Sequence, residues 1–366
     1  MQENSYFTTQ FGENIKLIPG YREKVGYKMK LDETYKKLNY VEGKPINIKT
    51  DNFGKDVITY ALLMDLLDEL GLLPENGYER AIDLGGQEGI HAALFRGHYA
   101  KHVTSADLLN GGDTQLPQKM KYIIKNQKKH QLGEFLFQDN PLTSSILKKF
   151  FPGKESRRFS PMCGVVPSKK HFYNFKFKRE LNVDEFVVGN FIDKVTGQFD
   201  IVLSFLTLCL VDYSKAISKI SDILPSGGVF ATIDRYAWGT GPQSGVCGNF
   251  PYFEKRLTLE DMKRYYGEYH PDELQYVEKL YNKFDPNRTS TKQMVKLAYD
   301  NGLHLLAYRP FTFPFLSDTL ETYKGQIKLN RDIDANEVLR DISHFRNDIG
   351  LDDLFTPYFM MVFKKI

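Results

Sequence analysis

Cysteine is scarce in this chain. Only Cys163, Cys209 and Cys247 occur in 366 residues, and no two form a Cys-x-x-Cys pair. That spacing argues against a zinc cluster and against a disulfide framework. A reducing, cytoplasmic compartment is the expected setting. Neither charge sign is in large excess, since 49 basic residues face 46 acidic ones. A net charge of +3 does not by itself point to nucleic acid. Long apolar runs are missing as well. The longest near-apolar run, Ile201 to Val211, is too short for a membrane span, which needs about 20 residues. The polar opening Met1-Gln2-Glu3-Asn4-Ser5 has no apolar stretch behind it, so no secretory signal is expected. Histidine numbers eight and shows no ligand-like spacing with other donors, so no metal is expected. Internal repeats and low-complexity segments are also missing.

What is present fits a globular protein of one large or two smaller domains. Hydrophobic residues make up 42% and charged residues 26%. Aromatics reach 14%, enough to build cores and to line pockets for flat ligands. The first 50 residues show no strong period. Between Lys55 and Gly71, Ile58, Leu62, Leu63, Leu66, Leu67 and Leu70 recur at spacings of three and four. That pattern predicts an amphipathic helix stopped by Gly71. Tyr78 to Leu84 reads as a strand running into Gly85-Gly86-Gln87-Glu88-Gly89. Ile90 opens a helix, and His102 to Ala106 is a second strand ending at Asp107. This is a parallel βαβ unit. Further strands are expected at Glu185–Val188, Phe199–Phe205, Val229–Ile233, Leu303–Tyr308 and Tyr358–Phe363, with helices at Ser214–Leu224 and Thr291–Asn301. The reading is an α/β fold with a seven-stranded, mostly parallel Rossmann-like sheet, helices on both faces and an antiparallel last strand. Residues 1–77 read as an N-terminal extension with helices, and 78–366 as the main domain. Two insertions, about 135–182 and 236–288, are expected to cap the C-terminal edge of the sheet, where such folds bind ligands.

The stretch Ala81-Ile82-Asp83-Leu84-Gly85-Gly86-Gln87-Glu88-Gly89 carries the strongest signal. Glycines there permit positive φ and close approach of a ligand. Asp107 lies 18 residues past Gly89, at a strand end where an acid can accept hydrogen bonds from both hydroxyls of a ribose. Together these residues resemble the first motif of class I S-adenosylmethionine (SAM)-dependent methyltransferases, acid-x-Gly-x-Gly-x-Gly. Asp83, Gly85 and Gly89 match it, and Gln87 replaces the middle glycine. Gly189-Asn190-Phe191 resembles the family's adenine segment. Gln198 to Ser204 resembles its fourth strand, and Leu224-Pro225-Ser226-Gly227-Gly228 its Leu-x-Pro-Gly-Gly turn. Thr291 to Tyr308 resembles its penultimate helix and strand.

The resemblance implies a methyltransferase with SAM as cofactor. Gly85 and Gly86 would face the methionine part, and Asp83 would help hold its ammonium. Asp107 would bind the ribose and Leu108 would pack on the adenine. Asn190, followed by Phe191, would pair with the adenine amino group. Ser204 and Phe205 would border the sulfonium. A nicotinamide dinucleotide is the alternative cofactor, but G-G-Q-E-G-I departs twice from the G-x-G-x-x-G that a pyrophosphate wants. Each residue also has a plainer role open to it, Asp107 as a helix cap and Asn190 as a turn residue.

The acceptor is expected to be a small molecule, with no membrane partner and with oligomeric state open. Catalytic candidates are sparse. Asp234, Arg235, Tyr236 and Trp238 follow the fifth strand, His171 and Tyr173 lie in the first insertion, and His270 lies in the second. A lone histidine is more often structural than catalytic, and Cys209 reads as core. From Pro141 to Glu180 there are ten basic residues against two acidic ones, interleaved with Phe172, Tyr173, Phe175 and Phe177. This segment reads as a solvated hairpin, as a lid for an anionic acceptor, or as an RNA-binding surface. A non-catalytic binding paralogue of the fold is a further alternative.

Overall fold

A computed structural model describes residues 5–24, 30–38, 42–43, 53–110, 171, 176–235, 246–284, 289–311, 334–355 and 358–366. Its centre is a seven-stranded sheet. The strands are β3 (Tyr78–Leu84), β4 (Ala100–Asp107), β5 (Glu185–Val188), β6 (Ile201–Phe205), β7 (Val229–Arg235), β8 (Leu303–Phe311) and β9 (Tyr358–Lys365). A separate hairpin pairs β1 (Tyr6–Thr8) with β2 (Asn14–Lys16). The large sheet has the order β5-β4-β3-β6-β7-β9-β8. Its first five strands run parallel. β9 lies between β7 and β8 instead of at the edge and is antiparallel to both. The expected α/β architecture is therefore the observed one.

The alternation of side chains in each strand builds two apolar layers. Ala81, Val103, Leu203, Ala231 and Val362 face one side. Helices α3 (Phe53–Glu69) and α4 (Ile90–His98) cover them with Leu63, Leu67, Ala93 and Phe95. Ile82, Ala106, Val202, Phe230 and Met361 face the other side. There α5 (Phe191–Lys194), α6 (Tyr213–Ile223) and α10 (Thr291–Asp300) supply Phe191, Ile217, Ile220, Met294 and Ala298. Local chemistry sets the helix ends. The Asp212 side chain accepts from Lys215 N and the Ser290 side chain from Gln293 N, each satisfying a first-turn donor.

The two stretches without a clear sequence period pack together. Helices α1 (Tyr21–Lys24) and α2 (Leu31–Leu38) follow the β1–β2 hairpin. The second insertion carries α7 (Phe253–Arg256), α8 (Leu259–Tyr269) and α9 (Leu274–Phe284). Phe7, Ile15, Leu17 and Leu31 share one cluster with Phe250, Phe253, Tyr265, Tyr266, Val277 and Leu280. Arg22 forms a two-pronged ion pair with Glu273, at 3.0 and 2.7 Å. The N-terminal segment and the second insertion thus form one cap. Its helix α9 packs beside the short turn Leu208–Leu210 that follows β6. Two further helices, α11 (Ala335–Ser343) and α12 (Leu351–Phe355), complete the described chain. Arg256 of α7 binds Asp341 of α11 at 2.6 Å. Among the described residues no helix is long and apolar enough to cross a membrane.

Candidate cofactor site

Strand order reverses direction at β3, whose neighbours are β4 and β6. Outside the C-terminal ends of such strands a crevice opens. Here it is a cavity of about 640 Å³, within the ordinary range for small-molecule sites. Its walls come from the segments after β3, β4, β5 and β6, with Thr59 of α3 and Tyr358 of β9.

The glycine turn shapes the floor. Gly85 has φ +72°, and a Cβ there would lie 1.9 Å from Thr207 Oγ1, so no larger residue fits without moving the β6 loop. A Cβ on Gly86 would lie 2.3 Å from Ser105 Oγ and 2.9 Å from Asp83 Oδ2. Gly89 has φ +79° and caps α4. Both Gly85 N and Gly86 N donate to Ala106 O, which ties the turn to β4. Leu206, directly after β6, holds a left-handed φ of +58°. For a residue with a Cβ that conformation costs roughly 1–2 kcal/mol, and the bond from Leu206 N to Ile233 O at 2.7 Å helps to hold it.

Asp107 joins two walls. Its Oδ2 accepts from Gln87 N at 3.0 Å and its Oδ1 from Leu109 N at 2.8 Å. Each oxygen keeps a further lone pair for a ligand hydroxyl. Burial raises its pKa from the ordinary carboxylate value, outweighing the two N–H bonds that lower it. Burial also raises that of Glu88, with the Asp107 charge adding to the effect. Across the cavity, Lys215 Nζ lies 3.7 Å from Asp212. The described lining thus holds three carboxylates and one ammonium, a surface suited to a cationic or neutral ligand.

Most of the residues singled out in the sequence meet here. Gly85, Gly86, Asp107, Leu108, Asn190, Phe191 and Phe205 line the cavity. Asn190 is also the cap of α5. Its Oδ1 accepts from Ile192 N and its Nδ2 donates to Asp193, leaving one N–H and one lone pair. Asp83 is fully buried beneath Gly86. Ser204 is fully buried outside the lining, because its neighbour in the strand, Phe205, takes the position at the cavity. Cys209, read as core, is buried and also borders the cavity.

The catalytic candidates fare differently. His171 is buried at the opposite edge of the sheet. Its Nδ1 meets Tyr99 Oη at 3.0 Å, just before β4 begins, and its Nε2 lies 3.4 Å from Asp68 at the end of α3. Asp234 is buried beneath the β6 loop, where its Oδ2 accepts from Cys209 N. His270 belongs to the cap, where burial and the charge of Arg22 lower its pKa. Tyr236, Tyr173 and Trp238 lie outside the described residues. So does most of the basic segment. Its described end does not reach the cavity, since Lys178 and Arg179 donate to Glu75 O and Asn76 O beside the start of β3.

The sequence reading missed Thr59, Glu88, His91, Thr207, Asp212, Lys215 and Tyr358, all of which border the cavity. His91 was open to detection, because it stands two residues past Gly89 on a helix that starts at the site. Thr59 and Tyr358 reach it from distant parts of the chain and carry no local signal.

No protein-family profile and no curated protein sequence matches the chain. Solved structures are similar at a distance. A protein from Galdieria sulphuraria, assigned as a sarcosine dimethylglycine methyltransferase, is 13% identical, with 84% of this chain and 85% of that one covered at a TM-score of 0.40. Geranyl diphosphate C-methyltransferase from Streptomyces coelicolor A3(2) is 14% identical, covering 94% and 98% at 0.38. Haemonchus contortus phosphoethanolamine N-methyltransferase 2 is 14% identical, covering 92% and 60% at 0.39. At such identities and scores the likeness carries no function across. The fold stands on this chain's own strand order.

Proposed function

We propose that this chain binds SAM at the β3–β4 crevice and transfers its methyl group to a small-molecule acceptor. The observation that carries the reading is the Asp107 carboxylate. It is fixed by two backbone N–H groups at the wall of a cavity floored by the Gly85–Gly86 turn. A vicinal diol fits its remaining lone pairs, and a sulfonium suits the acidic lining. In this assignment Asn190 offers a donor and an acceptor to the adenine edge, while Leu108 and Phe191 supply apolar contact. Asp83 supports the glycine turn from below. When bound, SAM supplies an activated methyl group. The protein then chiefly has to hold donor and acceptor in line and keep water out. A dinucleotide suits the site less well, because its pyrophosphate would face Glu88, Asp107 and Asp212 with Lys215 as the one cation among the described lining residues.

An anionic acceptor draws no support from the described end of the basic segment, whose Lys178 and Arg179 are used elsewhere. The proposal therefore stops at a small molecule. Calorimetry with SAM and its demethylated product, S-adenosylhomocysteine (SAH), tests it directly. Binding of both is expected, with loss in Asp107→Ala. If neither binds, the assignment fails. Tight RNA binding that falls steeply with salt would favour a nucleic-acid acceptor instead.

A further inference from the structure

His91 is the second residue of α4, so the glycine turn delivers it to the cavity, which it lines. Its ring lies flat on Phe205, with centroids 3.9 Å apart and planes at 16°. Its Nε2 lies 3.3 Å from Thr59 Oγ1. The stack fixes the plane of the imidazole and the hydroxyl fixes its rotation. Packing alone needs neither a polar ring nor an orienting hydroxyl at a cavity wall. A proton-transfer group gains from both, because it works best when held at a set angle to its partner.

Position supports the same role. Asp107 stands on the β4 side of the glycine turn and Phe205 on the β6 side. A ligand whose sugar met Asp107 would have room for its other end beside Phe205 and His91, which line the same cavity. Other titratable groups of the described lining have set partners too, and the Cys209 thiol donates to Leu206 O. Asp107 is held by two N–H groups, and Asp212 caps α6 and pairs with Lys215. Glu88 shares the turn with the charge of Asp107. Tyr358 is a phenol, ordinarily titrating near 10, whereas an imidazole ordinarily titrates near neutrality.

We infer that His91 accepts the proton released by the acceptor, an assignment that rests on the cofactor reading above. Transfer joins the acceptor's oxygen or nitrogen to the methyl carbon. The carbon–sulfur bond breaks with its electron pair kept by sulfur, and the acceptor's proton passes to the imidazole of His91. Thr59 orients that ring and is a positioning residue.

The test is the titration of His91 by NMR on histidine-labelled full-length protein, free, with SAH, and with SAM. The resonance is identified by its loss in His91→Gln. SAM and SAH share their sugar, base and amino-acid groups and differ by the sulfonium charge. If His91 faces that charge, its proton affinity is about tenfold lower with SAM than with SAH, as a like charge within about 4–6 Å demands. Thr59→Val keeps this difference but broadens the ring resonance. A midpoint raised equally by both ligands overturns the inference, because it places His91 at the carboxylate end. Bound ligands that leave the midpoint unmoved overturn it too, as does a His91→Gln protein that loses SAH affinity tenfold. If the unaltered protein binds neither ligand in calorimetry, the cofactor reading itself fails, and the His91 assignment falls with it.

Discussion

The sheet and the cap are held together by different means. Between the strands and their helices the contacts are apolar and alternate by residue along each strand. Ala81, Leu203 and Ala231 face α3 and α4, while Ile82, Val202 and Phe230 face α6 and α10. The cap uses aromatic edges and buried charge instead. Tyr265 meets Phe7 edge-on at 5.4 Å and Phe253 at 4.7 Å, and Arg22 pairs with Glu273 between the N-terminal segment and the turn before α9. A period-two pattern can be read from one strand alone. A cap built from partners some 250 residues apart cannot, because each half lacks the apolar face the other supplies. Non-directional burial tolerates substitution better than a paired buried charge, which leaves its partner stranded when removed.

The largest effect should come from breaking the cap. Arg22→Ala strands Glu273 in a mostly buried site, and a loss of about 3–5 kcal/mol in unfolding free energy is expected. Denaturation with two probes would show whether the cap melts before the sheet. A single coincident transition would mean the two regions fold as one unit.

On the sheet side, Gly85→Ala puts a Cβ against Thr207 at a left-handed position. A loss of about 2 kcal/mol is expected, together with loss of SAM binding measured by calorimetry. Asp107→Ala should weaken SAM at least tenfold. It removes two charge-assisted hydrogen bonds worth roughly 1.5–3 kcal/mol each, and about 1.4 kcal/mol is one decade of affinity.

Acid should act in opposite directions on Glu273 of the cap and on the Gly85–Gly89 turn. Burial works against the Glu273 carboxylate, but the bonds from Arg22 and Leu31 N outweigh it and hold its pKa below the usual value. Its stabilising effect is present above the unfolded carboxylate pKa and is lost as pH falls through the lower folded value. Asp107 and Glu88 are raised, mainly by burial. Their contribution is full below the unfolded value and is lost as pH rises through the folded one. Amide exchange in α2 and α9 should therefore speed up below about pH 4, while amides of the Gly85–Gly89 turn stay protected or gain protection. Uniform loss of protection would remove the distinction.

The smallest expected effect is at His171. It lies at the edge opposite the cavity, so His171→Gln should change SAM affinity less than about twofold while lowering stability through the lost Tyr99 and Asp68 contacts. A larger affinity change would mean that α3, which carries both Asp68 and Thr59, couples the two edges.

The chain itself determined the strand and helix series and the cofactor half of the candidate site. Those features rest on local chemistry: alternating apolar residues, glycines where φ must be positive, and an acid at a strand end. Tertiary structure alone decided the rest. It put β9 between β7 and β8, which depends on pairing and not on propensity. It also joined residues 5–38 to 246–284, and it drew Asp234 and His171 away from the cavity. Finally, it brought Thr59, His91 and Tyr358 to one cavity, because the apolar stripe of α3 and the pairing of β9 each bury a large surface, and their polar side chains are carried to the cavity with them.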